Sequence, residues 1–169
     1  YYVQGLGEDG RSIEENPLPY YKAAIEAMDT EMGRLFEAIG PEEMARTHVI
    51  YLGDNGTPSR VVQAPFEQGR AKGSIYNGGI HVPLVIAGPA VRDPGRSNEA
   101  LVNGVDLFAT ILEMAGLDVD GAIRPQVTID SVSMLPYLTD PALESQREWA
   151  VSEAFSPQGN RGDGKTMRD

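Results

Sequence analysis

The sequence contains no cysteine in its 169 residues. Disulfides and thiolate metal sites are therefore excluded within it, and the redox compartment stays open. Any divalent ion must be held by oxygen or by the two histidines. Positive charge is also scarce. Fourteen Lys and Arg stand against 25 Asp and Glu, a net charge of −11. An acidic surface repels phosphate backbones, so no nucleic-acid partner is expected. There is no basic run suited to an anionic membrane. No apolar stretch approaches the ~18 residues needed to span a bilayer, so no membrane partner is expected either. An initiator methionine and a visible signal peptide are lacking too. The chain starts at Tyr1 and closes on the polar, glycine-rich run SPQGNRGDGKTMRD. The expectation is one domain, long enough to bury a core, cut from a longer protein.

What is present centres on residues 47–89: THVIYLGDNG, a polar loop, GRAKGSIYNGGIHVP, then LVIAGP. Two short apolar runs, 48–52 and 84–87, are rich in β-branched and aliphatic residues and each ends at glycine. They predict buried parallel strands. Asp54 and Asn55 follow the first run, at the strand edge where open α/β sheets bind ligands. Lys72 lies in the next loop, between Gly69 and Gly73. A carboxylate and an amide oxygen suit a hard divalent cation, and a nearby ammonium suits an oxyanion. The plain alternative is that Asp-Asn-Gly is a turn, since all three residues tolerate positive φ, and that Lys72 is a solvated lysine.

Upstream, Tyr21, Ile25, Met28, Met32, Leu35, Phe36 and Ile39 recur at helical spacing from Tyr20 onward, opposite a charged face. They predict an amphipathic helix on a sheet, stopped by Gly40-Pro41. Residues 41–46 read as a linker, and His48 as a satisfied structural histidine. Gly78 and Gly79 offer backbone conformations closed to other residues, and Pro83 stiffens the entry to the second strand. Downstream, residues 98–103 suggest a short strand. Asp106 predicts an N-cap for a helix over 107–115 that buries Leu107, Ile111, Leu112 and Met114, with Gly116 at its end. Residues 117–130 read as loop, 133–138 as an apolar turn or helix, and 149–155 as a further strand. The polar residues 145–148 carry no signal.

THVIYLGDNG…AKGSIYNGGIHVPLVIAGP resembles the second signature region of the sulfatases, within the alkaline phosphatase superfamily. That region runs strand, (S/G)DNG, loop, KG-x-x-(Y/W)-x-GG-(I/V)-(R/H)-VP, strand. VNGVDLFATILEMAGLD and SVSMLPYLTD resemble the family's following helix and its LP-x-L segment. The resemblance implies an α/β fold, a mostly parallel sheet flanked by helices and incomplete as given. Residues 1–19 would be an irregular lead-in, 20–155 the C-terminal part of the catalytic domain, and 156–169 a polar tail.

By the same resemblance the function is sulfuric ester hydrolysis. Asp54 and Asn55 would be metal ligands for Ca2+ (or Mg2+). Lys72 would be catalytic, contacting a sulfate oxygen of the sulfate ester substrate, and His81 would support substrate binding. Gly56-Thr57-Pro58-Ser59-Arg60 has the spacing of the family's (C/S)-x-P-x-R nucleophile motif. It carries glycine where an oxidisable side chain is needed, however, and stands in the wrong place. The formylglycine nucleophile is therefore expected on an N-terminal part outside this sequence, and the segment alone is expected to be inactive and to bind no metal tightly. Arg60 and Arg70 could line an anion pocket.

An incomplete sheet implies self-association through an exposed edge. The family fits a periplasmic or secreted home, while the residues themselves name no compartment. Two alternatives remain: a phosphoesterase or phosphonate hydrolase of the same superfamily, and a non-catalytic binding or scaffold domain.

Overall fold

The computed structural model describes residues 9–155 and 164–169. The start of the expected lead-in, residues 1–8, and residues 156–163 of the expected polar tail lie outside the described residues. The chain divides into two compact units. The first is Tyr1–Thr47 with Tyr51–Leu84, and the second is His48–Ile50 with Val85–Asp169.

In the first unit, helix α1 (Pro17–Met44) begins three residues before the apolar periodicity. Proline is at home in a first turn, where its missing N–H would have no partner anyway. The approach is tied locally. The Ser12 N–H and hydroxyl both donate to the Glu15 carboxylate, and the Asn16 amide donates to Asp9. Gly40-Pro41 proves to be a kink rather than a stop. Gly40 leaves helical geometry at φ 79°, ψ 162°, and Pro41 starts one more turn, so the predicted linker is partly helix. No residue of α1 is buried. Ile25, Met28 and Leu35, on the side expected to pack, are 46%, 43% and 56% exposed.

Strand β1 (Val49–Leu52) neighbours strand β2 (Leu84–Ala87) in a two-stranded sheet. Between them lie a 3-10 turn (Gln68–Arg70) and a one-turn helix α2 (Asn77–Ile80).

The second unit holds helices α3 (Asp106–Met114), α4 (Val119–Ala122) and α5 (Leu135–Thr139), with strands β3 (Ala150–Ala154) and β4 (Gly164–Arg168). β3 and β4 pair antiparallel, with Val151 opposite Met167. The predicted strand over 98–103 is absent because its donors go elsewhere. The Ala100 N–H donates to the Asn98 side chain at 2.8 Å, and the Leu101 N–H to the Ser145 hydroxyl at 3.1 Å.

Asp106 is the centre of this unit, but not as the cap expected. It is the first residue of α3 and 1% exposed. Its carboxylate accepts the N–H groups of Asn103 at 2.7 Å and Val132 at 2.9 Å, and pairs with the Arg147 guanidinium. Thr110, one turn on, is fully buried. Its hydroxyl donates to the Asp106 carbonyl and accepts the Met134 N–H at 2.8 Å. The buried face of α3 is therefore Asp106, Ala109 and Thr110, whereas the predicted core residue Ile111 is 51% exposed. Backbone donors of residues 132–134 need acceptors, and the polar side of the helix supplies them. Arg147, read as uninformative in sequence, closes this network and also donates to the Asp130 carbonyl. His48 departs from expectation as well. Its Nδ1 is buried with no hydrogen-bond partner among the described residues.

Candidate functional site

The site is built from three backbone ties that stitch the loop after β1 to its surroundings. The Gly53 N–H donates to the Pro83 carbonyl at 2.9 Å, and the Gly56 N–H to the Gly79 carbonyl at 2.9 Å. The Lys72 N–H donates to the Thr57 carbonyl at 3.0 Å. Asp54 and Asn55 sit between the first two ties, and Lys72 is held at the third.

These ties bring backbones so close that only glycine fits. A Cβ on Gly56 would lie 1.9 Å from the Gly78 carbonyl oxygen. One on Gly78 would lie 2.4 Å from the Arg70 carbonyl oxygen, and one on Gly79 2.1 Å from that of Ser74. None of Asp54, Asn55, Gly56, Gly78 or Gly79 has positive φ. The glycines were expected to supply unusual backbone angles; they serve instead to let chain segments touch. The Asp-Asn-Gly run likewise makes no left-handed turn.

Lys72 is displayed by a tight turn. Ala71 is buried, the Ser74 N–H returns to the Ala71 carbonyl at 3.0 Å, and Gly73 takes φ 86°. Positive φ at the third residue of a four-residue turn is the geometry glycine permits. Lys72 therefore occupies the outer corner, exposed. Asp54 and His81 are exposed and Asn55 is half-buried. Among the described residues, none of these four side chains makes a hydrogen bond or ion pair.

Asn55 and His81 both line one small open cleft of about 80 Å3, together with Thr57 and Asn77. Asp54 and Lys72 do not line it. No cluster of three or more His, Cys, Asp or Glu side chains suited to a metal occurs among the described residues. Asp54 and Asn55 fit a hard cation by donor type, as two oxygen donors left without partners, but a calcium shell takes about 6–8 oxygens. The two arginines considered for an anion are engaged elsewhere. Arg60 donates to the Glu14 carbonyl, while Arg70 lies over the Tyr76 ring at 4.7 Å and near Glu67. Sequence reasoning missed Phe66, Thr57 and Asn77 as lining residues. The one signal for Asn77 was its place four residues before His81.

A strand-end Asp-Asn pair, a lysine tied beside it and a glycine-packed loop thus stand in one compact unit of the chain. The sulfatase family model matches residues 4–117, and the chain belongs to that family. Its fold class is accordingly the α/β fold of the alkaline phosphatase type. Arylsulfatase K of Xenopus laevis is 30% identical over 149 residues, 83% of this chain and 26% of that protein. N-acetylglucosamine-6-sulfatase of Homo sapiens is 32% identical over 96 residues, 57% of this chain and 16% of that protein. Steryl-sulfatase of Mus musculus is 27% identical over 140 residues, 76% of this chain and 22% of that protein. The chain thus spans about a quarter or less of the length of these relatives.

Proposed function

We propose that this chain carries the strand-end part of the active site of a sulfuric ester hydrolase. The observation that carries the reading is the loop itself. Asp54 and Asn55 leave β1 with unengaged side chains, and the Lys72 N–H bond to Thr57 holds the ammonium-bearing turn against the same loop. Asp54 and the Asn55 amide oxygen would supply two ligands to Ca2+ or Mg2+. Bound there, the cation would act as a Lewis acid on a sulfate oxygen.

Lys72 places a compact positive charge where negative charge builds on oxygen as the ester bond breaks. Its exposure at a turn corner leaves three donors free to reach that oxygen. His81, at the end of α2, contributes to substrate binding. In this reading the sheet is mostly parallel and is completed by chain outside this sequence, which also brings the formylglycine nucleophile and the remaining cation ligands. The 169 residues alone are then inactive. Asn55 following Asp54 favours the one-cation sulfatase over phosphoesterases of the superfamily, where histidine typically follows.

The test compares p-nitrophenyl sulfate with p-nitrophenyl phosphate on the complete protein. Sulfate turnover should dominate and fall about 10²–10³-fold in Lys72→Gln. Phosphate turnover that exceeds it, or sulfate turnover indifferent to Lys72, would overturn the reading.

A further inference from the structure

Lys72 sits inside a short loop whose two ends meet. Arg70 and Tyr76 flank residues 71–75, and the Arg70 guanidinium carbon lies 4.7 Å from the centre of the Tyr76 ring. Each end is also fixed by backbone. The Arg70 N–H donates to the Glu67 carbonyl at 3.0 Å, and the Tyr76 carbonyl accepts the N–H groups of Gly79 at 2.7 Å and Ile80 at 3.1 Å. The stack therefore joins the 3-10 turn before Lys72 to the start of α2 behind it.

The loop between these ends needs such a tie. Among the described residues two backbone bonds hold residues 71–75, from the Lys72 N–H to Thr57 and from the Ser74 N–H to Ala71. The Ser74 hydroxyl is buried in the turn without a hydrogen-bond partner, which costs the turn stability. Ion pairing does not supply the tie. Glu67 stands 3.7 Å from Arg70 with both side chains mostly exposed, and such pairs contribute little. A guanidinium on an aromatic face is the firmer restraint, since it is planar, weakly hydrated and able to stack. The stack also occupies a second cation. With Arg70 on Tyr76 and beside Glu67, Lys72 is left as the cation of this loop without a partner among the described residues.

We infer that Arg70 and Tyr76 are positioning residues: their stack holds the Lys72 turn so that the ammonium meets the charge that builds on the ester oxygen. That the lysine acts on a sulfate ester rests on the hydrolase reading; that the stack holds its turn does not.

Two readouts test it. The first is kinetic, on the complete protein with p-nitrophenyl sulfate. Tyr76→Leu should lower kcat about two- to fivefold, the weight of one exposed cation–π contact. KM should change little, because the lysine serves the transition state. Tyr76→Trp, with the better ring face, should keep the parent kcat. Added to Lys72→Gln, Tyr76→Leu should lower kcat no further, whereas independent losses would multiply. The second readout is exchange of the Lys72 amide hydrogen. It should quicken about two- to fivefold in Tyr76→Leu and in Arg70→Gln, and not in Tyr76→Trp. Arg70→Gln leaves Tyr76 in place and so covers a failure of Tyr76→Leu to fold.

Lys72 amide exchange indifferent to both Tyr76→Leu and Arg70→Gln overturns the inference. A Tyr76→Leu loss that persists undiminished beside Lys72→Gln overturns it too. A Lys72→Gln rate equal to the parent's counts against the hydrolase reading alone, and amide exchange then decides on the stack.

Discussion

Adding one methyl group at Gly79 should damage activity far more than it damages the fold. The new carbon would stand 2.1 Å from the Ser74 carbonyl oxygen, 2.8 Å from that of Ala71 and 2.8 Å from the Ser74 hydroxyl. Ordinary contact begins near 3.4 Å, so the neighbours must retreat by about 1.3 Å. Two of those atoms are backbone of the turn that displays Lys72, and the Gly79 carbonyl anchors Gly56. The retreat therefore moves the ammonium relative to Asp54 and Asn55. Overpacking of this kind costs about 1–3 kcal/mol, while a displacement near 1 Å at reacting groups can cost about 10²-fold in rate.

The assay is kcat/KM of the complete protein on p-nitrophenyl sulfate, well below its melting temperature, beside a urea denaturation midpoint. Gly79→Ala should lose about 10²-fold in kcat/KM with a stability loss of about 1–3 kcal/mol. Gly69→Ala, where a Cβ meets nothing within 4 Å, should resemble the parent in both. Equal kcat/KM for the two alanine variants would refute the claim that backbone contact positions the lysine.

Other outcomes follow from the same geometry. Lys72→Arg should not restore the activity lost in Lys72→Gln, because a planar fork does not replace a compact charge; steady-state kinetics on the two variants decides it. Asp54→Asn should raise the calcium concentration needed for half-maximal activity by about tenfold or more, read by titrating metal into chelator-treated enzyme. Asp106→Ala should cost about 3–5 kcal/mol in urea denaturation, since it leaves Arg147 unpaired in a largely buried place. The Asn16 amide beside Asp9, with the Arg11 N–H, holds that carboxyl below its ordinary range. Its contribution is present above the unfolded-state value and lost as pH falls through the lower folded one. Protection of the Arg11 amide from exchange should fade on acidification and be flat with pH in Asp9→Asn. Finally, light scattering of the isolated chain should show self-association, with the apolar side of α1 and the Val151–Met167 pair exposed.

Much of the fold was legible where pattern and local chemistry agree. β2 occupies the residues predicted and β1 differs by one, because short β-branched runs leave little choice, but neither strand is buried as expected: Leu52 is 40% and Val85 58% exposed. α1 was found from its apolar spacing, but its start was missed, since Pro17 and Pro19 look like breakers until they stand in a first turn. α2 was invisible: Asn-Gly-Gly is a poor helix sequence, and its single turn exists because Gly78 and Gly79 pack on residues 70–74. Asp106 was recognised as structural, yet its partners lie 26 and 41 residues away and no local pattern announces them. In the site, the neighbourhood of Asp54, Asn55 and Lys72 was legible only through ordered motifs. The cleft was not, because Phe66 and Asn77 come to line one cleft only in the folded chain.

The clasp between Asp106 and Arg147 imposes an order in time. Forty-one residues separate its halves. At roughly 5–20 residues per second, a ribosome delivers the guanidinium about 2–8 s after the carboxylate. Through that interval the Asp106 carboxylate lacks its cation, and only N–H groups such as those of Asn103 and Val132 can partner it. A translational pause placed within this interval would lengthen exposure of α3 to chaperones, whereas one placed after Arg147 has left the ribosome would find the clasp already closed.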